Sequence, residues 1–157
     1  MSTPIEIKLT PIARDGSTHV AERAGSELLS AVIEATVALY ARKGFEPPWI
    51  GYVALQGEQP VGTCGFTAPP RDSRVELAYF TFPEFERRGI ATSMAKALVA
   101  LSAAGDASVV VTAHTLPERN ASHRVLEKLG FRYVATLEHP EDGTVWVWSA
   151  EPSEATR

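Results

Sequence analysis

The stretch Tyr79–Ala104, YFTFPEFERRGIATSMAKALVALSAA, constrains this chain more than any other. It reads as a β-strand, a short loop ending in a basic glycine turn, and then an amphipathic helix. A turn of the type Arg87-Arg88-Gly89-Ile90-Ala91 leaves backbone N–H groups without helical partners where the helix starts. Those donors and the positive end of the helix dipole together suit a phosphate or pyrophosphate. The turn is neither a GxxxxGK[ST] loop nor a GxGxxG fingerprint, because Gly89 stands alone.

The sequence downstream sharpens the reading. A buried strand, Ser108–Ala113 (SVVVTA), is followed by Asn120–Phe131 (NASHRVLEKLGF). The order of strand, glycine turn, helix, strand and Asn/Ser-led helix ending in Leu-Gly-Phe resembles the GNAT superfamily of N-acetyltransferases. The resemblance spans Trp49 to Trp148 and is closest in style to the ribosomal-protein alanine acetyltransferase-like branch. It implies an α+β fold, a GNAT-like mixed, mostly antiparallel central sheet flanked by helices. It also implies that the phosphate belongs to acetyl-CoA (coenzyme A).

The bulk properties agree with one globular domain. The chain has 157 residues, 45% hydrophobic and 22% charged, which suits a single core and argues against disorder. We expect a domain over residues 1–150 and a loose tail over 151–157. A net charge of −4 gives no global basic field for nucleic acid or an anionic membrane. The basic residues nevertheless cluster: Arg87, Arg88 and Lys96 around the turn, Arg119 and Arg124 around the second motif. The only cysteine is Cys64, so no intrachain disulfide forms, and the N-terminus lacks a charged segment followed by an apolar one. A cytoplasmic location is expected. His19, His114, His123 and His139 show no metal-site spacing, so no metal is expected.

Along the chain, Ile5–Ile12 alternates as a strand, and Ser26 or Glu27 to Lys43 carries a helical apolar stripe closed by Gly44. Trp49–Leu55 and Pro60–Thr67 form a hairpin about Gly57, and Val75–Thr81 is the next strand. Helix Ile90–Ala104 stops at Gly105, and a short helix through Arg124–Leu129 stops at Gly130. Arg132–Leu137 and Thr144–Ala150 flank the turn Pro140–Gly143 as a terminal hairpin.

Acetyl transfer to an amine needs a docked cofactor, a neutral amine, oxyanion stabilisation and a leaving thiolate. A lysine-like ammonium with pKa about 10.4 is neutral in only ~1 in 10³ molecules at pH 7, a handicap of roughly 4–5 kcal/mol. A thiol with pKa about 8.5 lies only about 2 kcal/mol from the thiolate, so a base matters more than an acid. Glu76 is the candidate base. It lies in VELAYF, where members of the superfamily often carry a catalytic glutamate, and alternation places it with Ala78 and Phe80, opposite Val75, Leu77 and Tyr79. A carboxyl set among apolar strand residues is biased toward base work near neutrality.

Ser122 is the candidate contact for the leaving sulfur, as the resemblance to the alanine acetyltransferase-like branch implies. The tyrosine that serves elsewhere in the superfamily, four positions later, is replaced by Leu126. The bland reading is that Asn120 and Ser122 merely cap their helix. The expected cofactor contacts are the backbone of Phe80, Thr81 and Phe82 along the pantetheine arm, and Arg87, Arg88, Gly89, Ile90, Ala91 and Thr92 around the pyrophosphate. Arg119 and Asn120 complete the set, with Arg119 standing where the family asparagine would be. The turn opens with Glu86 in place of the usual Gln or Arg, and Glu86 is expected to point away.

His114 is read as structural, the alternative being a reach into the acceptor pocket. Cys64, in an apolar strand with no adjacent base, is read as buried and inert. Trp49, Trp146 and Trp148 are read as core or rim aromatics. The function implied is an acetyl-CoA-dependent N-acetyltransferase acting on a primary amine by direct attack, without metal or covalent enzyme intermediate. The alternative is an acyl-CoA-binding sensor or interaction module, for which the absent tyrosine and shifted asparagine leave room. The acceptor stays open among small-molecule and peptide amines, and family habit alone suggests a homodimer.

Overall fold

The computed structural model describes residues 6–20, 27–141 and 143–150. Ile5, Ser26, Asp142 and the tail expected over 151–157 lie outside the described residues. Seven strands form one sheet: β1 (Lys8–Pro11), β2 (Gly51–Gln56), β3 (Gln59–Phe66), β4 (Arg74–Thr81), β5 (Val110–Thr115), β6 (Arg132–His139) and β7 (Gly143–Ser149). Their spatial order is β1-β2-β3-β4-β5-β7-β6. Only β4 and β5 run parallel, so the sheet is mixed and mostly antiparallel, as expected. Among the described residues three helices flank it: α1 (Glu27–Lys43), α2 (Ile90–Gly105) and α3 (Ala121–Lys128).

The helices divide between the two faces. A Cβ on Gly51 would come within 2.8 Å of Thr36 and 3.3 Å of the Tyr40 hydroxyl, so α1 lies directly over that glycine. Tyr40 locks the contact, accepting from the Gly51 N–H at 2.8 Å and donating to the Ile12 carbonyl at 2.9 Å. Gly51 pairs with Gly65 of β3, and Gly62, three residues earlier, points to the opposite face. There a Cβ would meet the Met94 side chain of α2 at 3.2 Å and the Phe80 carbonyl at 2.5 Å. Ile90, Met94 and Leu98 bury the α2 stripe against this face. His123 of α3 packs edge-on to Trp148 at 4.5 Å, and Trp148 pairs with Ala113, which pairs with Leu77. So α2 and α3 share one face and α1 holds the other.

Strand boundaries fall within a few residues of the sequence reading, with one informative shift. β5 begins at Val110 where Ser108 was expected. Asp106 caps a turn there, its carboxylate accepting from the Ser108 N–H at 2.9 Å and hydroxyl at 2.6 Å. That turn holds the chain off the sheet until Val110 bonds the Ser73 carbonyl.

Candidate active site

The parallel pair β4–β5 is joined only over Arg74–Leu77 and Val110–Ala113. Beyond that rung β4 continues to Thr81 and β5 to Thr115 without pairing each other, so the sheet forks. A cleft of about 520 Å³ opens beside the fork. Its walls are Tyr79, Phe80 and Thr81 of β4, Phe85, Glu86, Arg87 and Gly89 of the turn, Ile90, Ala91 and Thr92 of α2, and Ala121, Ser122 and Val125 of α3.

The glycine turn is built from its own chemistry. Pro83–Phe85 makes one 3-10 turn. Arg87 then takes φ 65° and Gly89 φ 80°, the left-handed region where glycine carries no steric cost. Gly89 caps α2 with no side chain to bond the first-turn N–H groups. The three residues that carry those donors all line the cleft. Arg87 lines it too, whereas Arg88 lies over the Phe85 ring at 5.5 Å, outside the lining. Glu86 was expected to point away and is among the lining residues.

The second motif divides between the cleft and its far side. Ser122 and Val125, three apart on α3, share the cleft face. The Tyr79 hydroxyl reaches across to the Ser122 carbonyl at 3.4 Å, tying β4 to α3. Burial holds the Tyr79 phenol above its ordinary pKa, an effect the Ser122 contact partly offsets. Asn120 spends its side chain as an N-cap, accepting from the His123 N–H at 3.2 Å, and does not line the cleft. Arg119 sits 3.8 Å from Glu127, in a separate groove walled by Trp146 and Trp148. Phe82 is buried and its N–H is taken by the Val61 carbonyl at 2.9 Å, so the open strand edge ends at Thr81. Leu126, where other members carry tyrosine, is wholly buried.

Glu76 occupies the α1 face with Ala78 and Phe80, as alternation requires. Its surroundings are polar where apolar neighbours were expected: Thr67 Oγ1 lies 3.4 Å from one carboxylate oxygen and His114 Nδ1 3.4 Å from the other. On the same face a groove of about 190 Å³ runs between α1 and β2–β4, with Thr36, Tyr40, Thr63, Thr67, Ala78 and Phe80 in its wall. Cys64 also borders it, but burial pushes its thiol well above the ordinary range and keeps it protonated, which rules against a nucleophile. The Tyr52 phenol is pushed up to about 12, chiefly by desolvation, with Tyr40 and Cys64 adding to the shift. Among the described residues no cluster of three His, Cys, Asp or Glu could hold a metal ion.

Residues 21–132 match a sequence model of the acetyltransferase (GNAT) domain. The chain belongs to the GNAT acetyltransferase family. It is therefore an acyltransferase, and the donor that its family uses is acetyl-CoA. No curated protein matched the sequence. Solved structures share the GNAT fold at low identity. RimL, a ribosomal L7/L12 alpha-N-protein acetyltransferase in complex with coenzyme A, is 15% identical, with TM-score 0.66 over 94% of this chain and 98% of that one. A GNAT-family acetyltransferase from Bordetella pertussis is 18% identical, with TM-score 0.60 over 83% and 81%. The ribosomal-protein-S5-alanine acetyltransferase from Vibrio fischeri is 14% identical, with TM-score 0.59 over 78% and 69%.

Sequence reasoning missed Tyr79, Phe85, Ala121 and Val125 in the GNAT cleft. Alternation set Tyr79 on the face of Val75 and Leu77, and past the fork that face becomes the cleft wall. The spacing of Ser122 and Val125 was the available signal for α3.

Proposed function

We propose that this protein moves the acetyl group of acetyl-CoA to a primary amine by direct attack at the β4–β5 fork. The observation that carries the reading is the single cleft running from the uncapped first turn of α2 to Ser122, with Glu76 on the opposite face at the same fork. In this reading Arg87 and the N–H groups from Gly89 to Thr92 hold the pyrophosphate. The open edge of β4 at Phe80 and Thr81 bonds the pantetheine amides. The acetyl carbon then reaches the fork, and the amine enters from the α1 groove. A base centred on Glu76 removes the ammonium proton, the larger of the two acid–base handicaps. Ser122 and the Tyr79 hydroxyl border the leaving sulfur.

The test has two stages. Thermal shift with acetyl-CoA, CoA and ATP should raise Tm for both CoA species and far less for ATP. Thiol release from acetyl-CoA should then appear with some member of an amine panel. Stabilisation by CoA without thiol release from any amine would favour a binding module and end the transferase reading. Family habit points to a homodimer, and sedimentation at micromolar concentration reads the assembly directly; the single cysteine fits a reducing, cytoplasmic setting.

A further inference from the structure

The overall reaction sets a requirement beyond taking up one ammonium proton. An ammonium and a thioester become an amide, a thiol and one free proton. Every turnover must therefore send one proton from the fork to bulk water, so the base needs an exit as well as an acceptor atom.

Leu77 and Ala113 form the last paired rung of the β4–β5 ladder. His114 and Ala78 are the next residues on the two strands, where they begin to part. By strand alternation His114 shares the face of Thr112, the register partner of Glu76. Its Nδ1 lies 3.4 Å from Glu76 Oε2, and the two side chains are 23% and 29% exposed. Thr67 Oγ1 steadies the other carboxylate oxygen at 3.4 Å. The His139 ring of β6 stands edge-on to His114 at 6.2 Å. A histidine with Nδ1 on a carboxylate and its Nε2 left over is the arrangement of an oriented base.

We propose that the base is a Glu76–His114 pair, with proton transfer at His114 Nε2 and Glu76 as the orienting carboxylate. The proposal rests on the transferase reading above and changes which atom does the work. Glu76 fixes the Nδ1–H tautomer, leaving the Nε2 lone pair to accept. One N–H bond of the ammonium breaks, its electron pair stays on the amine nitrogen, and an Nε2–H bond forms. The positive charge then rests on an imidazolium beside the Glu76 carboxylate. The amine pair attacks the thioester carbonyl, the C–S bond breaks toward sulfur, and the second amine proton goes to the thiolate. His114 returns its Nε2 proton to water.

Two measurements test the pair. Long-range ¹⁵N–¹H correlation should find neutral His114 as the Nδ1–H tautomer in the wild type and the Nε2–H tautomer in Glu76→Ala. Thiol release is then followed with acetyl-CoA and benzylamine, spermidine or alanylglycine. His114→Ala should lower kcat on the order of 10²-fold, with KM for acetyl-CoA held within about twofold. Glu76→Gln should fall likewise, and the double variant should fall no further than the worse single one. Added imidazole should restore part of the His114→Ala rate, which a purely structural role would not allow. An Nε2–H tautomer in the wild type, or His114→Ala at the wild-type rate, overturns the pair while the transferase stands. A wild type that releases no thiol with any of the three amines overturns both.

Discussion

Gly89 concentrates two separate demands at one residue. Its φ of 80° puts any side chain in the left-handed region, at a cost on the order of 1 kcal/mol, and its N–H opens the first turn of α2 beside the cleft. Gly89→Ala tests the backbone demand alone; Gly89→Glu adds a carboxylate where the pyrophosphate is proposed to lie. We expect CoA affinity, read by isothermal titration, to fall a few-fold in the first and more than tenfold in the second. Equal affinities for wild type and Gly89→Glu would remove the turn from the phosphate site. The glycine was legible because its turn and helix are followed, in order, by an apolar strand and an Asn/Ser-led helix ending in Leu-Gly-Phe. Tyr79 was not, since alternation says which face a residue takes but cannot say where that face stops being core and becomes a wall.

At the scale of elements, two small anchors carry more than their size suggests. Tyr40 ties α1 to the sheet by satisfying the Gly51 N–H and the Ile12 carbonyl in a buried setting. Tyr40→Phe keeps the ring and orphans both groups, so urea unfolding should show a loss of about 1–3 kcal/mol. α3 depends on Asn120, whose side chain caps the His123 N–H. Asn120→Ala should lower stability by about 1 kcal/mol and leave the Kd for CoA within about twofold. A large loss of CoA affinity without loss of stability would return Asn120 to the cofactor site. Element types were readable from period-2 and helical patterns. The start of β5 slipped where a side chain took over backbone partners, as Asp106 does there, whereas Asn120 caps α3 as the capping reading had it. Arg119 shows the same limit: one step along the chain carries it around to the far side of α3, where it meets Glu127.

For the whole molecule, the division of the sheet into a cofactor face and an α1 face places Cys64 deep in the core, far from the role of a reagent. Burial raises its thiol pKa in the folded state. The unfolded chain has an ordinary thiol near ~8.5. A group raised on folding contributes its stability fully below the unfolded pKa and loses it as pH rises beyond that value. Here the loss starts near pH ~8.5, with a slope of at most about 1.4 kcal/mol per pH unit. Tyr40, Tyr52 and Tyr79 are raised too, but their unfolded pKa of about 10 puts their losses higher. Between pH 8 and 9.5 the thiol is therefore the group to watch. Urea unfolding in the presence of a reductant should show the wild type losing about 1 kcal/mol more over that interval than Cys64→Ala. Iodoacetamide at pH 8.5 should label Cys64 only as fast as the protein unfolds. If wild type and Cys64→Ala keep a constant difference across the interval, the thiol titrates alike in both states and the core around it admits water.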